Sequence, residues 1–347
     1  MLKNEVGKRL ITSMSQGFSN TFLLYTACKL EIFDAIDGNG SDIENISEIT
    51  KVNKDLLYRI IRPLIVYGFI EKIDSKYTLT DVGEMLTDKE EGSLKGYVLY
   101  CGSICAKSWS VMAEAAKSNK SPYSLAIGGE LFEGNRNSSK DYSNFNAMMN
   151  FVSKSMNIEE FLKKQKDLDR VKEIVDIGGG TGAVILQFLK YYKSARGRIL
   201  DLDFVKEKAL ANISANNLSD RTEFVVGNFF EPYKLDSDVF ILSRILHDWK
   251  DDDALSILKN IRNSMSVDSF LYVIELVVPE DFKRENLEIF MNDLQIWAVC
   301  DGKERSLSQY NELFEKAGLI LIGSEKIETG ECVLKLRCDL DIEEGEI

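Results

Sequence analysis

From residue 173 onward, short apolar runs alternate with stretches of helical periodicity. The runs fall at 174–177, 198–202, 223–226, 239–242 and 270–276. Between and after them, apolar residues recur at three- and four-residue steps over 183–192, 204–216, 251–265 and 306–317. Short apolar runs bounded by turn residues read as buried strands, and the longer periodic stretches as helices. Such alternation predicts an α/β domain, a parallel sheet with helices on both faces. The last two runs, 319–327 and 332–337, are joined only by Glu328-Thr329-Gly330-Glu331. That is a hairpin turn, so the sheet should close on an antiparallel strand.

The first third is patterned differently. Residues 8–36 read as one helix carrying Phe18, Phe22, Leu23, Thr26, Leu30 and Phe33, a stripe that suits either an internal core or a dimer face. Ser41-x-x-Glu44 reads as a capping box opening a short helix. Asn53 caps a second, over 54–67, in which Pro63 predicts a kink near 59–63. Two strands, 69–73 and 77–80, then form a hairpin. Helix, helix, hairpin is the order of a winged helix. Residues 93–165 read as helical, with a break at Ser121-Pro122 and Gly128-Gly129 and an aromatic and methionine face of Phe132, Phe145, Met148, Met149 and Phe151. The expected organisation is a winged-helix-like dimerisation domain (1–100), a helical connecting region (101–170), a Rossmann-like catalytic domain (171–338) and an acidic tail (339–347).

Charge narrows what this chain can bind. Its formal net charge is −13, and residues 41–86 hold eight acids against six bases. A reader of DNA needs a positive face, so the winged helix is expected to serve packing and dimerisation, with no nucleic acid partner. The same balance argues against docking on anionic membranes. No apolar stretch is long enough to span one, and no signal-peptide shape opens the chain. The six cysteines show neither zinc spacing nor a disulfide framework, which points to reduced thiols, a cytoplasmic setting and no metal.

Candidate chemistry gathers at the strand ends. The first strand runs into Gly178-Gly179-Gly180-Thr181-Gly182, then a helix. Glycines there let backbone amides at a helix start approach a ligand closely. Gly178-x-Gly180-x-Gly182 suits S-adenosylmethionine, while Gly178-x-Gly180-x-x-Ala183 also satisfies a loose dinucleotide pattern. Asp201, at the end of the second strand, could take ribose hydroxyls in either cofactor. Asn228 ends the third and could meet an adenine edge. The fourth leads to His247, the chain's single histidine, flanked by Asp248 and Trp249. A histidine in that cleft is a candidate base, mostly neutral near pH 7 at its ordinary pKa of about 6.5. Trp249 could stack on adenine or simply pack.

Taken together, Val175-Asp176-Ile177-Gly178-Gly179-Gly180-Thr181-Gly182, Asp201-Leu202, Gly227-Asn228-Phe229-Phe230, Leu246-His247-Asp248-Trp249 and Gly302-Lys303-Glu304-Arg305-Ser306 form an ordered set. The set resembles the S-adenosylmethionine-dependent small-molecule O-methyltransferases of the caffeate and acetylserotonin type, bacterial branch. Leu30-Glu31-Ile32-Phe33-Asp34 and Gly129-Glu130-Leu131-Phe132-Glu133 resemble that family's front domain, so the likeness spans nearly the whole chain.

The resemblance implies a homodimer of secondary metabolism that methylates a hydroxyl of a small, aromatic acceptor and releases S-adenosylhomocysteine. It implies His247 as general base with Glu275 and Glu304 flanking it. Asp176, Gly178, Gly180, Gly182, Asp201, Asn228, Phe229, Arg244 and Trp249 would hold the cofactor. Phe145, Asn146, Met149, Asp248 and Asn292 would meet the acceptor. Some positions depart from the pattern: Asn228 stands where many relatives have Asp, Asp203 where a proline is common, and Ser243 where plant relatives often have Lys. Methyl transfer to nitrogen, carbon or sulfur on the same fold is the alternative. A nicotinamide oxidoreductase and a ligand-sensing winged-helix regulator stand further off.

Overall fold

A computed structural model describes residues 2–90, 92–129, 131, 149, 156–165 and 170–340 of the chain. The fold divides into two compact units. Met1–Lys107 lie in the first, with Gly134–Phe151, and Ser108–Glu133 and Val152–Ile347 form the second.

In the first unit, the single helix expected over 8–36 is two: α1 (Leu2–Ser15) and α2 (Phe18–Lys29). Gly17 interrupts them, since glycine weakens a helix interior. After Lys29 the chain turns, with Glu31 in the left-handed region at φ 57°. The aromatic stripe divides accordingly. Phe33 is fully buried with Ile32, whereas Phe18 and Phe22 are 63% and 43% exposed. The front of the stripe is therefore not core of its own unit.

The capping box expected at Ser41 is also different. Asp42 caps α3 (Ile43–Thr50), its Oδ1 accepting from the Asn45 amide at 2.8 Å. Ser41 is taken up elsewhere, in a backbone bridge to Tyr77. A carboxylate one residue later satisfies the same free helix amides, and caps of either type are favoured. α4 (Lys54–Val66) is capped by Asn53 and carries Pro63 inside it. Its buried Leu57, Ile61 and Leu64 pack with Ile32, Phe33 and Ile46. The hairpin follows as β1 (Ile70–Ile73) and β2 (Lys76–Leu79), turning through Asp74 at φ 55°. The continuous helical region expected from 93 is a series of short pieces: Lys95–Tyr100, a wider π-helical turn Cys101–Cys105, then Ala106–Ser110. In the second unit it continues as Met112–Ser118 and Pro122–Ala126, the latter capped by Ser121.

The second unit is built on seven strands: β3 (Glu173–Ile177), β4 (Arg196–Asp201), β5 (Thr222–Val226), β6 (Val239–Ser243), β7 (Phe270–Glu275), β8 (Leu319–Lys326) and β9 (Cys332–Cys338). Their order is β5-β4-β3-β6-β7-β9-β8. The first five run parallel, and β9 is inserted antiparallel to both β7 and β8, as the hairpin turn predicts. Strands buried on both faces read as unbroken apolar runs, which is why they were legible. Two apolar clusters cover the two faces, one around Ile185, Phe188 and Tyr272, the other around Leu258, Tyr310 and Phe314. From β3 the chain winds outward through β4 and β5, then crosses back to lay β6 on β3's other side. A crevice opens where the winding reverses, beyond the carboxyl ends of β3 and β6.

Candidate active site

At the end of β3 the glycine turn is shaped by contacts that admit no side chain. Gly178, Gly180 and Gly182 all have positive φ, at 66°, 55° and 80°. A Cβ on Gly178 would stand 2.7 Å from Ile245 Cδ1, and one on Gly182 2.6 Å from Ile199 Cδ1. On Gly180 it would meet open space, so this glycine keeps the backbone bare on the crevice side. Gly179 sits over Asp176, whose carboxylate lies 2.7 Å from where its Cβ would be. Burial pushes the Asp176 carboxyl up to about 8, with only the Ile185 amide opposing the shift.

Asp201, ending β4, bends back to this turn. Its Oδ2 accepts from the Gly180 amide at 2.8 Å and its Oδ1 from the Leu202 amide at 2.7 Å. Burial raises its carboxyl, and these two amides oppose it. A carboxylate has about four lone-pair sites, so two remain for a ligand hydroxyl pair. Asn228 is exposed and turns its Oδ1 to the Phe230 amide at 3.1 Å. Phe229 faces the turn, its Cε1 3.4 Å from the Gly178 Cβ position. Trp249 packs edge-on against Phe229 and Phe230, with ring centroids 6.1 and 4.6 Å away.

His247 lies in the short turn after β6, buried. Its Nδ1 is 2.9 Å from Glu304 Oε1, while Nε2 is 3.4 Å from Asp248 Oδ1. Asn292 donates to the same Glu304 oxygen at 2.7 Å. Glu275 plays another part: its Oε1 accepts from the Ile245 and Leu246 amides at 2.9 and 2.8 Å, pinning the turn. Its Oε2 stands 3.5 Å from His247 Nδ1. Arg244 holds the left-handed region at φ 55°, an unusual place for a side chain this size. Its Nη1 comes within 3.6 Å of Glu304 Oε1, but Nη1 and Nε are buried without a hydrogen-bond partner.

This surrounding corrects the expectation of a neutral histidine. Burial and Arg244 both press the His247 pKa down, yet Glu275, Asp248 and Glu304 together raise it from 6.5 to about 9. The three carboxylates therefore favour the charged form of the ring. Burial likewise raises Asp248 and Glu275, against the pull of His247. For Glu304 the balance tips the other way: burial raises it, but His247, by charge and hydrogen bond, holds it below the usual carboxylate range. Among the described residues, His247, Glu275 and Glu304 are also the one group whose ligand-type atoms fall within 4.8 Å of one another, the spacing a metal would need. The Nδ1–Glu304 hydrogen bond already engages two of those atoms.

Several supporting residues were assigned no role from the sequence, although Lys303 and Arg305 lie within one of its motifs. Arg305 is wholly buried and donates to the carbonyls of Leu246 and Trp249 at 2.7 and 2.8 Å and to Asp251 Oδ1. Lys303 donates its amide to the His247 carbonyl at 2.9 Å, and Asp293 accepts the Glu304 amide. The Cys300 thiol hydrogen-bonds Asp248. Asn292, expected against the acceptor, donates to Glu304. Phe145 and Asn146 lie outside the described residues, and Met149 is half-buried in the first unit.

Comparison with known proteins follows the same division. The O-methyltransferase dimerisation domain matches residues 12–89, and the O-methyltransferase domain matches residues 109–320. The chain is 27% identical over 321 residues to O-methyltransferase SfmM3 of Streptomyces lavendulae, covering 90% of this chain and 95% of that one. It is 26% identical over 316 residues to phenazine O-methyltransferase PhzM of Lysobacter antibioticus, covering 90% and 91%. Its fold is similar to that of human N-acetylserotonin methyltransferase in complex with SAM, with TM-score 0.82 and 22% identity over 96% of this chain and 97% of that one. With over half its length matched by the catalytic domain and most of its front by the dimerisation domain, the chain belongs to the O-methyltransferase family.

Proposed function

We propose that the chain transfers a methyl group from S-adenosyl-L-methionine to a hydroxyl of a small aromatic acceptor, with His247 as general base. The observation that carries this reading is one arrangement. The glycine turn after β3 and the histidine turn after β6 share the same crevice, joined by Ile245 packing on Gly178. The phenazine compound in one relative's name supports a planar acceptor for this chain too.

The residues present fit such a donor. Gly180 offers bare backbone, Asp201 has lone pairs for ribose hydroxyls, and Arg244 has buried donors suited to a carboxylate. When bound, S-adenosylmethionine supplies an activated methyl on a positively charged sulfur, leaving S-adenosylhomocysteine as product. Nδ1–H of His247 donates to Glu304, so the neutral imidazole presents its lone pair at Nε2. Nε2 takes the acceptor's hydroxyl proton as the oxygen attacks, and the imidazolium that forms is stabilised by Glu304, Glu275 and Asp248. A positive charge bound near His247 would disfavour the imidazolium. That lowers the histidine's pKa, the direction a base requires.

By the same reading the enzyme works as a homodimer through its first unit, whose Phe18 and Phe22 are exposed. It acts in the cytoplasm in secondary metabolism, without nucleic acid or membrane partners. Calorimetric titration with S-adenosylhomocysteine, followed by a screen of phenolic acceptors, tests the proposal. No heat at millimolar ligand would overturn it.

A further inference from the structure

A second cluster of reactive side chains lies in the first unit. Tyr97, Cys101 and Cys105 recur at four-residue steps along the helix Lys95–Tyr100 and the π-helical turn Cys101–Cys105, which puts them on one face. Cys105 and Tyr97 are the side chains that act most strongly on the Cys101 sulfur. Cys101 is partly exposed and Cys105 is buried. Gly102, between them, presses on Tyr25 so closely that a Cβ would come within 2.3 Å of that ring, which anchors the turn from its other side.

We infer that Cys101 and Cys105 form a peroxide-oxidisable dithiol, with Cys101 as the attacking sulfur and Cys105 as the resolving one. The Cys101 thiolate attacks one oxygen of a hydroperoxide. The O–O bond breaks, the sulfur is oxidised to a sulfenic acid, and the peroxide is reduced and leaves as an alcohol, or as water from hydrogen peroxide. Cys105 then attacks the Cys101 sulfur; the S–S bond forms, the S–O bond breaks, and water leaves with the Cys105 proton. Two thiols lose two electrons in all, and the hydroperoxide gains them.

Partial exposure and an adjacent resolving thiol are the marks of a redox-responsive cysteine. Cys105, opposed by burial and aided by Tyr97, also lowers the Cys101 pKa, whereas burial raises those of Cys28, Cys300, Cys332 and Cys338. Helical neighbours four apart have Cβ atoms about 5–6 Å apart, and a disulfide needs roughly 3.5–4.5 Å. Closure therefore draws the turn together by about 1–2 Å, and a strained bridge of this kind is readily reduced.

The test uses the full-length reduced protein with stoichiometric hydrogen peroxide, alkylation of remaining thiols, and tryptic mass spectrometry without reductant. The peptide spanning residues 96–107 holds both cysteines. It should appear lighter by two hydrogen atoms, at a rate about tenfold above oxidation of Cys28, Cys300, Cys332 or Cys338, and dithiothreitol should restore it. In Cys105→Ser, dimedone should trap Cys101 as the sulfenic acid. In Cys101→Ser, Cys105 should stay unmodified at the same dose. Oxidation of Cys101 no faster than the other four, or overoxidation with no bridged peptide, would overturn the inference. Alkylation rate against pH in the unmutated protein gives a reading that needs no variant: Cys101 must show the lowest midpoint of the five.

Discussion

Glu304 receives the His247 Nδ1 and the Asn292 amide on a single oxygen, at 2.9 and 2.7 Å. That carboxylate is itself buried, so the contact fixes both the tilt of the imidazole and its tautomer. The nitrogen left to meet an acceptor is Nε2. A base held this way should be separable from the binding of the methyl donor, and the first expected outcome follows.

His247→Ala should lower kcat by about 10²–10⁴-fold, the usual worth of a positioned acid or base. Calorimetric affinity for S-adenosylhomocysteine should stay within about threefold, because the glycine turn and Asp201 are untouched. Unchanged turnover would mean the acceptor arrives already ionised.

Two neighbours of His247 should move its titration in opposite directions. Glu304 raises the histidine's pKa and Arg244 lowers it. In kcat/KM profiles, Glu304→Gln should shift the rising limb to lower pH, with a loss of rate from the freed ring. Arg244→Met should shift it to higher pH. Shifts of the same sign in both variants would contradict this arrangement of charges.

Stability should also report the histidine. Its folded-state pKa is raised from 6.5 to about 9, so the native state holds the proton more tightly than the unfolded chain. The contribution is fully present below pH 6.5 and is lost as pH rises through about 9. Its size is on the order of 3 kcal/mol. Asp176, raised from 3.8 to about 8, acts in the same direction over a lower window. Urea melts of the ligand-free protein and of His247→Gln, compared between pH 6.5 and 9, isolate the histidine's part. The variant's slope should be the flatter one.

The glycine turn offers a contrast between folding and binding. Gly182→Ala places a methyl 2.6 Å from Ile199 at φ 80°, which should cost about 1–3 kcal/mol of stability. Gly180→Ala bears the strain of φ 55° but no clash, so its stability loss should be smaller than that of Gly182→Ala and its main loss should be affinity for S-adenosylhomocysteine. Chemical denaturation and calorimetry on the two variants would separate these effects. Equal losses of affinity in both would argue against Gly180 as the ligand's side of the turn.

Much of the second unit is readable from the chain because its signals are local. Strands buried on both faces are runs of Ile, Val and Leu, and the four residues between 327 and 332 allow little but a hairpin. The break at Gly17 was harder, since apolar spacing carries across a two-residue interruption without changing phase. Around the site, Glu275 at a strand end and Glu304 in the turn before the last helix were legible through the resemblance of the motif set. Arg305 and Cys300 act through contacts 50 or so residues away in sequence, and Asp293 through one backbone amide beyond the end of its helix, which no spacing announces. The charge state of His247 was illegible for a related reason: it depends on three carboxylates and a guanidinium that only folding gathers.

Arg305 has one more consequence. Its guanidinium spans two carbonyls of the histidine turn and the first acid of the following helix, while Glu275 takes two amides of the same turn from the opposite side. The loop that carries the base is thus ordered before any ligand arrives, and little conformational freedom remains there to be lost on binding. Affinity for the acceptor is then free of that entropic tax, and changes in acceptor preference can accumulate in other parts of the chain while the proton-accepting atom stays where it is.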